Sequence, residues 1–318
     1  MGPADWKRTE LTDMKSATWN AQTLGASTDS WTIAVPDGDL RNVDVDTISD
    51  LLYDGPGVVL MTGVSVLSEG AAAASLVALG ERVGTPMTQT LAGDLITRVE
   101  ARELHVPGTI QRGHRSNAEL AFHCDRTDLI ALLCVREAQQ GGDSLLVSSR
   151  ALFDVLADED PAALGELQGS FPQDRRDEEG SGEAPWFSAP IFWTWQDRVY
   201  CRYIRKFIES SQRHEDAPRL TPEQTRALDV FDALLQRPEL VYTMRLAPGD
   251  LQIIENHTVL HSRTAFTDTP GAGGRLLMRL WLSHDRSPEL PEAYRPIYGT
   301  CAAGAVRGAM SARTVPAR

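Results

Sequence analysis

The chain has 318 residues, with 31 Lys plus Arg against 44 Asp plus Glu, a formal net charge of −13 and 42% hydrophobic residues. This is a soluble globular balance, long enough to form one large domain or two ordinary ones. Its acidity excludes the cationic surface that nucleic acid or an anionic membrane would require. Cys124, Cys134, Cys201 and Cys301 form no CxxC pair, so neither a zinc finger nor a disulfide framework is indicated and a reducing cytoplasm fits best. The longest apolar run, Leu129 to Val135, falls far short of the roughly 20 residues that cross a bilayer. The N-terminus carries no signal-peptide pattern.

In chain order, residues 1 to about 40 are polar and mixed and are expected to wrap the outside of a core built by the rest of the chain. Ile48, Leu51 and Leu52 have helical spacing, Gly55-Pro56-Gly57 stops that helix, and Val58 to Met61 reads as a buried strand. An Ala-rich helix is predicted over Ser68 to Val83, capped by Ser68. Short apolar strands come next at Leu95 to Val99, Leu120 to Cys124, Leu129 to Val135 and Leu145 to Val147. Helices are predicted at Ser149 to Leu156, at Pro161 to Leu167 and from Thr221, where Thr221 and Gln224 form a capping box with Pro222 at the first helical position. The acidic stretch Gln173 to Pro185 reads as a surface loop, flanked by Trp186, Trp193 and Trp195, which suit either a lid or the core. The last strands are Leu240 to Leu246, Leu251 to Glu255 and Leu276 to Ser283, and the small, polar tail from Thr300 is expected to be loosely ordered.

Chemistry concentrates in Phe122-His123-Cys124-Asp125. In a strand His123 and Asp125 project from one face, so an imidazole and a carboxylate stand side by side on a rigid element. Alone, His-x-Asp is more often a solvated or structural pair. A third ligand is available in Asn256-His257-Thr258-Val259-Leu260-His261, and two histidines with one carboxylate form the facial triad of non-haem Fe(II). The strand after Gly274 places Arg275, Leu277, Arg279 and Trp281 on one face. Buried guanidinium groups need anionic partners, and their fork suits a carboxylate. If the strand stands alone, a half-exposed edge strand with two surface arginines is the favoured reading.

Taken together, Phe122 to Asp125, Gly141-Gly142-Asp143-Ser144, Pro248-Gly249-Asp250, Asn256 to His261 and Arg275 to Arg279 resemble the Fe(II)- and 2-oxoglutarate-dependent dioxygenases of the taurine dioxygenase and clavaminate synthase superfamily. The resemblance covers roughly residues 45 to 295, in the family's order and with its spacing from the second histidine to the two arginines. It implies a mainly β fold with flanking helices around a double-stranded β-helix, or jelly-roll, in one catalytic domain. It implies His123, Asp125 and His261 as iron ligands, and Arg275 and Ser144 as partners of the distal carboxylate of 2-oxoglutarate. Arg279 is left between the co-substrate and the primary substrate. His257 shares a strand face with His261 and is the competing ligand assignment. Ser144 stands where the family usually has Thr. The retained Asp125 argues against halogenation. The implied reaction consumes 2-oxoglutarate and O2, releases succinate and CO2, and hydroxylates, desaturates or cyclises a small molecule.

For the primary substrate, alternation places Glu119 on the face of His123. A carboxylate there opposite Arg279 suits an amino-acid-derived metabolite, whereas pairing with Arg115 is the structural alternative. Asn117 and Ser116 are weaker candidates, and a sulfonate or aryloxy acid is the alternative substrate. His105, His114, His214 and His284 are assigned no ligand role, and the Gly141-Gly142 pair reads as a hairpin turn. Two rival functions remain: a redox-silent cupin-like isomerase or hydrolase, and a non-catalytic ligand-binding barrel. No nucleic-acid or membrane partner is expected, and homo-oligomerisation is left open.

Overall fold

A computed structural model describes residues 19–101, 116–179, 182–268 and 273–310. Its strands are β1 (Thr32–Ala34), β2 (Val58–Thr62), β3 (Thr85–Met87), β4 (Ile96–Val99), β5 (Leu120–His123), β6 (Leu129–Arg136), β7 (Gln140–Gly141), β8 (Ser144–Ser148) and β9 (Phe171–Asp174). They continue with β10 (Trp186–Ala189), β11 (Phe192–Trp195), β12 (Arg198–Cys201), β13 (Tyr242–Met244), β14 (Leu251–Glu255), β15 (Val259–Arg263), β16 (Phe266–Thr267) and β17 (Leu276–Ser283). A seven-stranded sheet runs β1-β2-β14-β6-β17-β3, with β4 also paired to β17, and a four-stranded sheet runs β13-β8-β15-β5.

The central strands β6, β14 and β17 are almost wholly buried, as strands covered on both faces must be. Helix Glu69–Val83, capped by Ser68, covers part of one face. It approaches so closely that a Cβ on Gly80 would lie 2.5 Å from Leu280 Cδ2. A second apolar cluster forms around helices Ser149–Glu159, Pro161–Leu167 and Pro222–Leu234, the last carrying the expected Thr221/Gln224 capping box. Among the described residues no helix is long and apolar enough to cross a membrane.

Several expectations change. The segment expected to wrap the outside contributes Trp19, Leu24 and Trp31 to the main core, because two tryptophans and a leucine outweigh their polar neighbours once buried. Gln173 and Asp174 belong to β9 and are buried, not part of a surface loop. Trp193 is core, packed against Tyr200 and Tyr294, while Trp186 and Trp195 are half-buried. The tail beyond Thr300 is anchored as far as it is described: Cys301, Arg307 and Met310 are buried. Arg307 Nε donates to Asp128 Oδ1 at 2.8 Å, and its Nη2 donates to the Pro288 carbonyl at 2.8 Å. A buried charge pair, invisible to local periodicity, holds this segment. Residues 1–18 and 311–318, His105, His114, Arg115 and part of the Gly271 to Gly274 turn lie outside the described residues.

Candidate active site

β15 runs antiparallel to β5 with His261 directly opposite His123, and their ring centroids are 4.2 Å apart. Asp125 stands two residues after His123. One ligand atom each from His123, Asp125 and His261 can be chosen so that all lie within 4.8 Å of one another. Asn256, in the turn between β14 and β15, fixes this approach. Its Oδ1 accepts from Asp125 N at 2.9 Å, and its Nδ2 donates to the carbonyls of Asp125 at 2.8 Å and Thr127 at 2.7 Å. The turn that precedes His261 therefore grips the segment that carries Asp125.

The two carboxylate oxygens of Asp125 are differentiated. Oδ2 accepts from Arg279 Nη1 at 2.8 Å and from Trp281 Nε1 at 3.0 Å, whereas Oδ1 faces His123 Nε2 at 3.7 Å. Burial opposes ionisation of Asp125, but the charge of Arg279, the two histidines and the indole N–H outweigh it and hold the carboxyl well below the usual range. His123 Nδ1 lies 2.9 Å from the Ala121 carbonyl, an acceptor that places the proton on Nδ1 and leaves Nε2 with its lone pair. Burial, reinforced by neighbouring His123, pushes His261 down to about 3, and burial lowers His123 as well. Both imidazoles are therefore neutral near pH 7. His261 Nδ1 is buried without a hydrogen-bond partner among the described residues. Two neutral imidazoles, one of them with an orphaned nitrogen, and an ionised carboxylate with one oxygen clear of other donors fit a divalent transition metal.

A cavity opens beside this cluster, with Leu132, Leu277 and Arg279 on the larger sheet's side and His123, Ser144 and His261 on the smaller sheet's side. Arg275 and Arg263 also line it, each only 5% exposed. Arg275 Nη2 donates to the Gly142 carbonyl at 3.0 Å, while its Nη1 has no partner among the described residues. Burial lowers Arg275, and burial together with Arg275 pushes Arg263 down to about 10. The Gly141-Gly142 pair serves close approach, not a hairpin turn. Both have positive φ, and a Cβ on Gly142 would lie 2.8 Å from Arg275 Nε.

The other sequence candidates separate clearly. Ser144 lines the cavity, but its hydroxyl donates to Gln252 Oε1 at 2.6 Å. His257 is buried away from the cluster with Nε2 3.1 Å from Asp128 Oδ1, so the competing ligand is structural. Glu119 and Asn117 are exposed and neither lines the cavity, and Ser116 serves through its carbonyl, which accepts from Arg263. The reason is a bulge. His261 pairs with His123 and Arg263 with Leu120, so two steps along β15 match three along β5, and Leu120 replaces Ala121 on the cavity side.

Three supporting residues carried no assignment in the sequence. Gln89 is 1% exposed; its Oε1 accepts from Arg279 Nε at 2.7 Å and its Nε2 donates to the Leu95 and Arg279 carbonyls. Trp281 stood on the right face without a role, and Asn256 stood inside a quoted motif. Only the last two had any signal in the sequence, namely strand alternation and motif membership.

Residues 16–281 match the family described as "Taurine catabolism dioxygenase TauD, TfdA family". The chain belongs to this family. It is 30% identical over 247 residues to FR-33289 synthase of Streptomyces rubellomurinus, covering 76% of this chain and 73% of that protein. It is 27% identical over 164 residues to a uridine-5'-phosphate dioxygenase of an Amycolatopsis species, covering 49% of this chain and 56% of that protein. Among solved structures it resembles an asparagine oxygenase complexed with Fe(II), 3-hydroxyasparagine and succinate, with a TM-score of 0.58 and 20% identity over 89% of this chain and 92% of the other. It also resembles the non-haem iron oxygenase OrfP in complex with Fe and alpha-ketoglutaric acid, with a TM-score of 0.59 and 16% identity over 96% of this chain and 98% of the other. The expected jelly-roll fold and the expected class, an Fe(II)- and 2-oxoglutarate-dependent oxygenase, both stand.

Proposed function

We propose that this chain hydroxylates an unactivated C–H bond of a small, amino-acid-derived metabolite, with His123, Asp125 and His261 holding Fe(II) and Arg275 receiving the distal carboxylate of 2-oxoglutarate. The observation that carries this reading is the division of labour at Asp125. Arg279 and Trp281 occupy Oδ2, leaving Oδ1 beside two neutral imidazoles, and the imidazoles line one cavity with a buried guanidinium that has an unpartnered N–H. When bound, the iron and 2-oxoglutarate supply the oxidation: O2, 2-oxoglutarate and R–H give R–OH, succinate and CO2. The chain's own residues bind, orient and exclude water. Arg279 holds Asp125 ionised and in place, and Arg275 anchors the keto acid by its far end.

The pairing of His123 with His261, from strands far apart in the chain, supports one catalytic domain. The four free, buried cysteines support residence in a reducing compartment. For the substrate, the resemblance to an asparagine oxygenase and to OrfP complexed with hydroxylated arginine supports an amino-acid derivative. A phosphate-bearing or sulfonate substrate is the second reading, favoured by the relative named uridine-5'-phosphate dioxygenase and by the exposed position of Glu119, which removes the carboxylate offered to a substrate amine. Succinate release by Fe(II)-loaded protein, screened against amino acids and against small phosphates and sulfonates, separates the two. Stimulation by an amino acid together with its loss in Asp125→Ala is the expected result. Stimulation by the anions alone overturns the amino-acid reading, and undiminished turnover in Asp125→Ala overturns the ligand assignment.

A further inference from the structure

Arg263 belongs to none of the sequence motifs, yet it is one of two buried guanidinium groups lining the cavity. It lies two residues beyond His261 on β15 and is the cross-strand partner of Ser144 on β8. Its guanidinium carbon and that of Arg275 lie 4.7 and 5.2 Å from the centroid of the same Phe266 ring. Nη2 of Arg263 donates to the carbonyls of Ser116 and Ala118, but Nε and Nη1 are buried with no partner among the described residues. Arg275 Nη1 and Gln252 Nε2 are in the same condition. Gln252 is register-paired with Leu132, a cavity residue, and so shares its face. No carboxylate among the described residues hydrogen-bonds either guanidinium; Asp268 takes only the backbone N–H of Arg275. Two buried guanidinium groups without a carboxylate hydrogen-bond partner are unfavourable, and four unused donors, those of Arg263 and Arg275 lining the cavity and that of Gln252 beside Ser144, point to an anionic ligand.

We propose that Arg263 is a co-substrate-binding residue, forming with Arg275 a two-guanidinium cradle for the distal carboxylate of a 2-oxo dicarboxylic acid, with Gln252 as a further N–H donor. The proposal rests on the 2-oxoglutarate reading above and deepens it. Ser144, at the position expected to touch the carboxylate, instead orients Gln252 by donating to its Oε1. Arg263 also ties the cradle to the segment leading into β5, so the anion site and the strand that delivers His123 share one side chain.

The test is calorimetric titration of anaerobic, Fe(II)-loaded protein with 2-oxoglutarate and with 2-oxopentanoate, the same keto acid without a distal carboxylate. Wild type, Arg263→Gln and Arg263→Lys are compared. The expected result is that Arg263→Gln weakens 2-oxoglutarate by 10- to 100-fold and 2-oxopentanoate by less than threefold, with partial recovery in Arg263→Lys. Equal affinities in Arg263→Gln and wild type, or equal loss for both keto acids in both variants, overturns the cradle. Equal loss would show that Arg263 acts only through its hold on the segment leading into β5. Failure of wild type to bind 2-oxoglutarate overturns the underlying reading, and the cradle falls with it. Lys retains the charge and much of the stem, so it keeps the test informative if Gln does not fold.

Discussion

Gly142→Ala gives a quantitative handle on Arg275, which lines the cavity. Gly142 has a φ of +76°, and an added Cβ would lie 2.8 Å from Arg275 Nε, 3.0 Å from Arg275 Cδ and 3.4 Å from Phe266 Cβ. The left-handed backbone alone costs about 1–2 kcal/mol for a residue with a Cβ. Ordinary van der Waals separation is about 3.5 Å, so the guanidinium stem must retreat by about 0.7 Å. The bond from Nη2 to the Gly142 carbonyl resists that retreat. A displacement of this size at a binding group is expected to weaken it by about 10- to 100-fold, since ~1 Å of misplacement can cost ~100-fold. The Michaelis constant for 2-oxoglutarate should rise by that factor, with a loss of about 1–3 kcal/mol in urea unfolding. Gly63→Ala is the control, because Gly63 has a φ of +83° and nothing within 4 Å of its added Cβ. It should lose only the backbone strain and keep the wild-type constant. A folded Gly142→Ala protein with that constant within twofold of wild type would refute the argument that close approach at Gly142 sets Arg275.

Arg307→Met should destabilise the protein by about 3–5 kcal/mol in urea unfolding, because it leaves the fully buried Asp128 without its cation. A loss below about 1 kcal/mol would show that the tail is not held by this pair. Burial opposes ionisation of Asp128, but His257 and Arg307 overcome it and depress its pKa in the folded state. The resulting stability is present above the unfolded value near 3.9 and is lost as pH falls through the folded value. Arg307→Met therefore moves acid unfolding to higher pH, and an unchanged acid midpoint would contradict this. Trp281→Phe removes the N–H donor to Asp125 Oδ2 and should weaken Fe(II) by about 10-fold or more in a chelator competition, as loss of such supporting bonds does at metal sites. Undiminished affinity would mean that Arg279 alone orients the carboxylate.

The elements that place the site were legible because they obey one rule each. β6 reads as a continuous apolar run and β14 and β17 as mainly apolar strands, and strand alternation put Arg275, Arg279 and Trp281 on the face they occupy. Glu119 and Asn117 lie outside the cavity for an equally specific reason. One extra residue in β5 opposite the His261–Arg263 step reverses the facing of every position before it, and nothing in the sequence marks that bulge. Arg263 and Gln89 escaped notice because their meaning is tertiary. Gln89 meets Arg279 across 190 positions, and Arg263 meets Ser116 across 147. The same holds for Arg307, whose partner Asp128 stands 179 residues away. Buried polar pairing of this kind has no period to read.

In the proposed function His123, Asp125 and His261 would hold Fe(II), and Arg275 would receive the far carboxylate of 2-oxoglutarate. The decisive measurement is anaerobic addition of Fe(II) and then 2-oxoglutarate to metal-free protein, read as the visible charge-transfer band of the chelate. The band should appear in wild type, be lost in His261→Ala, and require much more 2-oxoglutarate in Arg275→Ala at unchanged iron content. Folded wild-type protein that takes up Fe(II) yet shows no band at saturating 2-oxoglutarate would contradict the proposed function.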